Sequence, residues 1–345
     1  IDPAKVGRDL AELLGLKRKV GVKVSGDAVK SIRATKPDIV VLCTSSSVKG
    51  VMPQLELILK TKTPIVSTTE ELSYPGYTHV RQARQIDAWA KKAKVAVLST
   101  GVNPGFAMDA LPTVLTSVCE RVDRITVNRV QDARIRRLPF QQKIGAGLTT
   151  EQFQRKVDDG SVRHVGLTES IAMIADAMGW KLDRITDAIQ PKLATVTISS
   201  EFLAVDPGYV CGIIQDGIGY RGRTPAIKLH MEAYLGAPES YDAVDVEGNP
   251  NLSMKIAGGI HGDIATASMV VNSIPTPSFR PPPTTSRCSR PGGRSPPSAT
   301  RLPVAAARLP SSAHRDITPA LRRAWVSACS TMSPAPQRQI GREHV

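Results

Sequence analysis

Two adjacent carboxylates, Glu70 and Glu71, close the segment Ser67-Thr68-Thr69-Glu70-Glu71 directly after the apolar stretch Pro64-Ile65-Val66. A carboxylate at the end of a buried strand can hold a cation or exchange a proton. Burial pushes its pKa up, an ammonium partner pulls it down, and the charged pair is the useful state. The same two residues could instead open a helix, where negative charge meets the positive end of the dipole.

Other polar groups gather at comparable places. Thr44, Ser45 and Ser46 follow the run Ile39-Val40-Val41-Leu42-Cys43, and Gly101-Val102-Asn103-Pro104-Gly105 follows Val95-Ala96-Val97-Leu98. Thr44, Ser45 and Ser46 can meet a cofactor through hydroxyls and backbone N–H groups, or cap the helix that follows. Asn103 can hydrogen-bond a ligand or cap the next helix. His164 and His261 each stand before a helix, as pocket residues or as satisfied structural ones. Arg134, Arg136 and Arg137 can grip a substrate carboxylate, or line a solvated hairpin edge.

The elements that must position these groups alternate. Helical spacing predicts a helix from Asp2-Pro3 to Leu14, stopped by Gly15, then a short apolar stretch Val20 to Val24 and a helix capped by Ser25. Strands at 39–43, 64–67 and 95–98 alternate with helices from about Val51 to Lys60 and around Val80 to Ala90. Strand-helix alternation with continuous apolar strands predicts a parallel α/β sheet, whose ligands bind at the carboxyl ends of the strands. After Gly105 a helix from Phe106 to Cys119 leads into period-two segments at 124–128, 194–198, 209–214 and 227–231. Helices are expected at Glu169 to Met178, Lys181 to Ala188 and Ile264 to Ile274. This half reads as an α+β domain with a mostly antiparallel sheet.

Charge is unevenly placed along the 345 residues, whose net charge is +14. Residues 275–345 hold eleven Arg, no Lys, one Asp and one Glu, and 13 of the 26 prolines. The body is therefore only weakly basic, and Phe279 and Trp325 are the sole aromatics among the tail arginines, too few for a run of stacking platforms, so a nucleic-acid partner is not expected. The tail reads as disordered, with the look of a shifted reading frame. No apolar run approaches the roughly 20 residues of a membrane span. Five cysteines without a C-x-x-C pair encode neither a disulfide framework nor a zinc site, six scattered histidines supply no metal cluster, and a cytoplasmic location is the default.

A dinucleotide-binding fold opens with a strand, a G-x-G-x-x-G turn and a helix, then a second strand ending in an acidic residue. Ile1-Asp2 has the look of the end of that second strand, so the chain reads as beginning after the glycine turn. Gly145-Ala146-Gly147 and Gly258-Gly259 do not follow a buried parallel strand and do not replace it.

Four segments in order carry a resemblance: Ser67-Thr68-Thr69-Glu70-Glu71-Leu72-Ser73-Tyr74-Pro75, Gly101-Val102-Asn103-Pro104-Gly105-Phe106, the run from Lys143-Ile144-Gly145-Ala146-Gly147 to Phe153, and His164-Val165-Gly166-Leu167-Thr168-Glu169-Ser170. Over residues 1 to 274 the chain resembles the 2,4-diaminopentanoate dehydrogenases and native amine dehydrogenases, with their dihydrodipicolinate-reductase-like cofactor domain. The resemblance implies a partial Rossmann-type, truncated dinucleotide-binding domain at 1–104, an α+β substrate and dimerisation domain at 105–260, a returning helix at 261–274 and the tail at 275–345.

It also implies oxidation of a C–NH₂ group with NAD or NADP, on an amino acid such as 2,4-diaminopentanoate or on a primary amine, or the reverse reductive amination. A homodimer through the second domain's sheet is implied as well. The catalytic glutamate falls at Glu70 or Glu71, with Glu70, nearer the strand, favoured. Thr44, Ser45, Ser46, Thr68, Gly101, Asn103 and Pro104 become the cofactor contacts, and Asn103, His164, Arg137 and His261 the substrate contacts. The competing readings are an inactive truncated homologue that keeps only fold and dimerisation, and an imine reductase of the dihydrodipicolinate reductase type.

Overall fold

The computed structural model describes residues 1–274, so the Arg/Pro-rich stretch read as a disordered tail lies outside the described residues. Two units divide the chain, one holding residues 1–26 and the other beginning at Asp27.

In the first unit the single helix expected from Asp2 to Leu14 is broken in two. Asp2 caps a 3₁₀ turn at Pro3–Lys5, Gly7 takes φ +84°, and α1 is restricted to Leu10–Leu13. The break follows from Asp9, whose carboxylate caps α1 through Ala11 N (2.8 Å) and also accepts from Gly21 N (3.0 Å). Val20 and Val22 are exposed, and the apolar stretch there forms only an isolated bridge, Asp9 with Lys23.

The second unit opens with α2 (Ala28–Thr35), capped by Asp27 rather than Ser25, because the Asp27 carboxylate reaches Lys30 N at 2.9 Å. Then follow β1 (Val40–Leu42), α3 (Val48–Lys60), β2 (Ile65–Ser67), α4 (Val80–Ala93) and β3 (Val97–Ser99). The three strands are parallel in the order β1-β2-β3, as the alternation requires. Val48, Val51, Leu55 and Ile58 of α3 bury against Ile65, Leu42 and Ile86.

The rest is built on a six-stranded sheet. Along the chain lie α5 (Ala110–Leu115), β4 (Arg121–Asp132), α6 (Leu138–Lys143), α7 (Thr150–Asp158), α8 (Leu167–Ala177) and β5 (Arg184–Leu193). A small pair, β6 (Ile198–Ser199) and β7 (Ala204–Val205), precedes β8 (Val210–Arg221), β9 (Thr224–Tyr234), β10 (Tyr241–Asn249), β11 (Leu252–Ala257) and the closing helix α9 (Gly262–Ser273). The strand order is β11-β10-β4-β9-β8-β5, antiparallel except for β4 beside β9. Ile125, Val127, Ile213, Ile227, Leu229 and Val244 bury in one cluster with Leu167, Ile171 and Ile174 of α8.

Three expectations change here. The helix foreseen at Lys181 to Ala188 is replaced by strand β5, which lies at the sheet edge, where its Pro191 lacks no needed donor. Ala194 to Ile198 is not a strand apart from Ile198 in β6. The helix foreseen from Phe106 begins at Ala110, because Asp109 is its cap, with its carboxylate on Ala110 N.

Candidate active site

The carboxyl ends of β1, β2 and β3 are knitted together by hydroxyl groups. Ser67 Oγ donates to Leu42 O (3.0 Å) and to Thr69 Oγ1 (2.9 Å), Thr69 Oγ1 donates to Ser45 O (2.8 Å), and Ser99 Oγ donates to Thr69 O (2.7 Å). This lattice fixes the chain immediately before Glu70. Thr44 donates to Gln54 Oε1 (2.9 Å), and Ser45 Oγ accepts from Ser47 N (3.1 Å), so both hydroxyls serve the turn into α3. The carbonyl of Ser46 accepts from Glu71 N at 3.2 Å.

Glu70 and Glu71 begin a 3₁₀ turn, Glu70–Ser73, and their side chains go separate ways. Glu71 Oε2 accepts from Val48 N at 2.8 Å and lies 3.0 Å from His79 Nε2. It is the helix-start carboxylate, but for α3 rather than for its own turn. Glu70 has one ion pair among the described residues, a loose 3.6 Å approach to Lys143 Nζ.

The partner surface of Glu70 comes from the larger sheet's layer. Gly166, just before α8, has φ +114°, and a Cβ there would lie 2.3 Å from Pro104 Cγ and 3.5 Å from Glu70 Cβ. Only a residue without a side chain lets α8 start against both. Pro104 follows Asn103 through a cis peptide bond.

Asn103 does not cap α5. Its amide donates to Met108 Sδ (3.0 Å), while Oδ1 is shielded from solvent and has no hydrogen-bond partner among the described residues. The cap is Asp109, whose other oxygen accepts from Gly105 N and from Ser170 Oγ of α8, both at 2.8 Å. Burial pushes the Asp109 carboxyl up, against the pull of these donors. Asp109 thus pins the Asn103-Pro104-Gly105 turn to α8. Gly101 packs toward Thr266 of α9, whose hydroxyl accepts from Val102 N (3.3 Å).

His164 stands two residues before Gly166. Gln215 holds its backbone on both sides, accepting from His164 N (2.9 Å) and donating to His164 O (3.0 Å). Its imidazole Nε2 is shielded and unpartnered among the described residues. Burial first, then the charges of Lys143, Arg129, Arg136 and Arg163, push its pKa well below the ordinary histidine range. His164 is therefore a neutral ring with cations around it.

The arginines expected on a hairpin edge divide. Arg134 pairs with Asp132 at 2.6 Å, and Arg137, about half exposed, lies 3.3 Å from Asp263. Arg136 is buried, donating to Gln131 Oε1 (2.8 Å) and Asp263 Oδ2 (2.9 Å) with its guanidinium over the Phe140 ring. Behind it Arg129 is buried against Asp242 and donates to Ile260 O at 2.8 Å. His261 precedes α9 with Nδ1 unpartnered among the described residues, its pKa lowered by burial and by Arg136.

Reasoning on sequence missed Lys143, Asp109 and Arg129. Lys143 opens the segment Lys143-Ile144-Gly145-Ala146-Gly147, and its distance from Glu70 along the chain hid the pairing. No group of three or more His, Cys, Asp or Glu among the described residues could hold a metal ion. No helix among them is long and apolar enough to cross a membrane.

Residues 106–278 match the family described as the 2,4-diaminopentanoate dehydrogenase C-terminal domain. The 2,4-diaminopentanoate dehydrogenase of Acetoanaerobium sticklandii is 35% identical over 244 residues, which cover 69% of each chain. An amine dehydrogenase of Streptomyces virginiae is 25% identical over 270 residues, 76% of this chain and 68% of that one. The solved structure of an amine dehydrogenase from Mycobacterium smegmatis superposes with a TM-score of 0.71 at 25% identity, covering 79% of this chain and 82% of that one.

Proposed function

This chain belongs to the 2,4-diaminopentanoate dehydrogenase family, and we propose that it oxidises the C–NH₂ carbon of an amino acid or primary amine at the site around Glu70, with NAD or NADP as acceptor. When bound, the oxidised nicotinamide accepts the hydride from that carbon. The residues present fit the nicotinamide end of such a cofactor. Asn103 Oδ1 is a shielded acceptor without a partner among the described residues, suited to a carboxamide N–H, while Thr68 directly follows β2 and Gly101 and Pro104 follow β3. The first N–H of α3 is given to Glu71, so phosphate is not expected there.

Glu70 performs the acid-base and electrostatic work. Its carboxylate takes a proton from the substrate ammonium, leaving the free amine whose lone pair becomes the C=N bond as hydride departs. Once that proton has passed from Glu70 to solvent, the restored carboxylate faces the cationic iminium nitrogen. Water adds to the iminium carbon, and expulsion of ammonia leaves the ketone. Lys143, the present counter-ion of Glu70, gives way to the substrate nitrogen or turns to a substrate carboxylate.

The observation that carries this reading is the division of labour between neighbours: Glu71 is bound into the protein, while Glu70 meets Lys143 and the Pro104–Gly166 contact. The test is amine-dependent reduction of NAD⁺ and NADP⁺, with 2,4-diaminopentanoate and with amines lacking a carboxylate. Glu70→Gln should slow turnover by roughly 10²–10⁴-fold, the usual worth of a positioned acid-base group. Undiminished turnover by that variant overturns the proposal.

A further inference from the structure

We propose that Glu71 and His79 are positioning residues for this reaction, a clasp that holds the Glu70 carboxylate in place; the inference rests on the reading of Glu70 given above.

Three elements meet at one oxygen. Glu71 Oε2 takes the Val48 N–H at the start of α3 (2.8 Å) and the His79 imidazole at the start of α4 (3.0 Å), while Glu71 N donates to Ser46 O (3.2 Å). Both side chains are largely buried, with 23% and 17% of their surface exposed. The two ends of the segment from Glu70 to His79 are thereby tied to each other, and the Glu71 end to the turn between β1 and α3.

A second tie runs the other way. Thr78 Oγ1 donates to Glu169 Oε1 (3.0 Å) in the first turn of α8, and Thr168 Oγ1 donates to Glu169 Oε2 (2.8 Å). Glu169 is buried, 3% exposed. The start of that helix is where Gly166 meets Pro104 and lies near Glu70 Cβ. The segment thus forms a closed ring: Glu70 against the start of α8, the chain running on to Thr78, and Glu169 returning to α8. Among the described residues the Glu70 carboxylate has one polar partner, the loose Lys143 contact, so its placement leans on the clasp beside it. A misplacement of about 1 Å in a reacting group can cost about 100-fold in rate, which is the scale on which such a clasp matters.

A double-mutant cycle tests this. Glu70→Gln, Glu71→Ala and the double variant are compared with the unaltered protein for kcat and KM with 2,4-diaminopentanoate and NAD⁺ or NADP⁺. Glu71→Ala should lower kcat about tenfold or more, with KM moving by less than about threefold. In the Glu70→Gln background the same change should cost less than about twofold, since nothing remains to be positioned. His79→Ala should repeat the loss, and His79→Gln, which keeps an N–H donor, should recover part of it.

Amide hydrogen exchange gives a readout independent of turnover: Val48 N–H and residues 70–74 should exchange faster in Glu71→Ala and His79→Ala. Should Glu71→Ala not fold, Thr78→Val enters the same cycle with the same non-additive outcome expected. Equal losses in both backgrounds, unchanged kcat in Glu71→Ala, or unchanged Val48 exchange each overturn the clasp while leaving Glu70 its role. Full activity of Glu70→Gln overturns both.

Discussion

Two opposite-charge pairs in this molecule differ in nearly every respect. Arg129 and Asp242 are 2% and 1% exposed, and both are further bound to the Ile260 backbone, Asp242 accepting from its N–H at 2.7 Å and Arg129 donating to its carbonyl. Glu70 and Lys143 are 24% and 34% exposed, 3.6 Å apart, with no hydrogen bond joining them. The first pair is enclosed and paired, so it holds β4, β10 and the approach to α9 together. The second leaves hydrogen-bonding capacity unused beside a turn that is itself firmly fixed. Structural charge is spent charge, and a carboxylate fit for chemistry is one whose surroundings are satisfied while it is not.

The largest effect that could break this contrast is on rate. Glu70→Gln should lose two to four powers of ten in kcat while its urea midpoint shifts by less than the equivalent of about 1 kcal/mol. A large stability loss would mean that Glu70 is structural as well.

Next comes Asp242→Ala, which strands a buried guanidinium and should cost about 3–5 kcal/mol in equilibrium urea unfolding. A cost below about 1 kcal/mol would show that the pair is not sealed from water.

Smaller still is Gly166→Ala. A positive φ and the Pro104 ring both oppose a side chain there, and a loss of about 1–3 kcal/mol is expected, with a raised KM for the amine.

The smallest concerns His164, whose folded pKa is depressed. The stability it contributes is complete above the ordinary histidine value near 6.5 and is lost as pH falls through that value toward the lower folded one. Thermal unfolding from pH 8 to pH 5 should therefore show a shallower decline in His164→Asn, and an unchanged slope would contradict the buried neutral ring.

The parallel sheet was legible because β1, β2 and their helices are spelled in unbroken apolar runs and 3.6-residue periods. The hairpin of β10 and β11 was not legible. In Tyr241-Asp242-Ala243-Val244-Asp245-Val246 the inward face is Asp242, Val244 and Val246, each 1% exposed, and a buried aspartate disguises the alternation. Its neutralising partner, Arg129, is 113 positions away, beyond any local pattern.

β5 was misread for a related reason. Its burial alternates only weakly at a sheet edge, and Ile185 and Ile189 are spaced to fit a helix turn as well as a strand face. At the site, strand ends were predictable from topology, so Glu70, Glu71 and Asn103 could be named. Which carboxylate was free could not be, since that was decided by Val48 N–H and His79, groups 23 and 8 positions from Glu71.

The contact at Gly166 bears on attempts to reshape the substrate preference of this catalyst. Bare backbone meets a proline ring there, so beside the proposed site at Glu70 position 166 has no side chain left to trim. Within the proposed site, room for bulkier amines would have to come from residues that still carry a side chain, and we propose His164, with an imidazole nitrogen unengaged among the described residues, as the first to shorten.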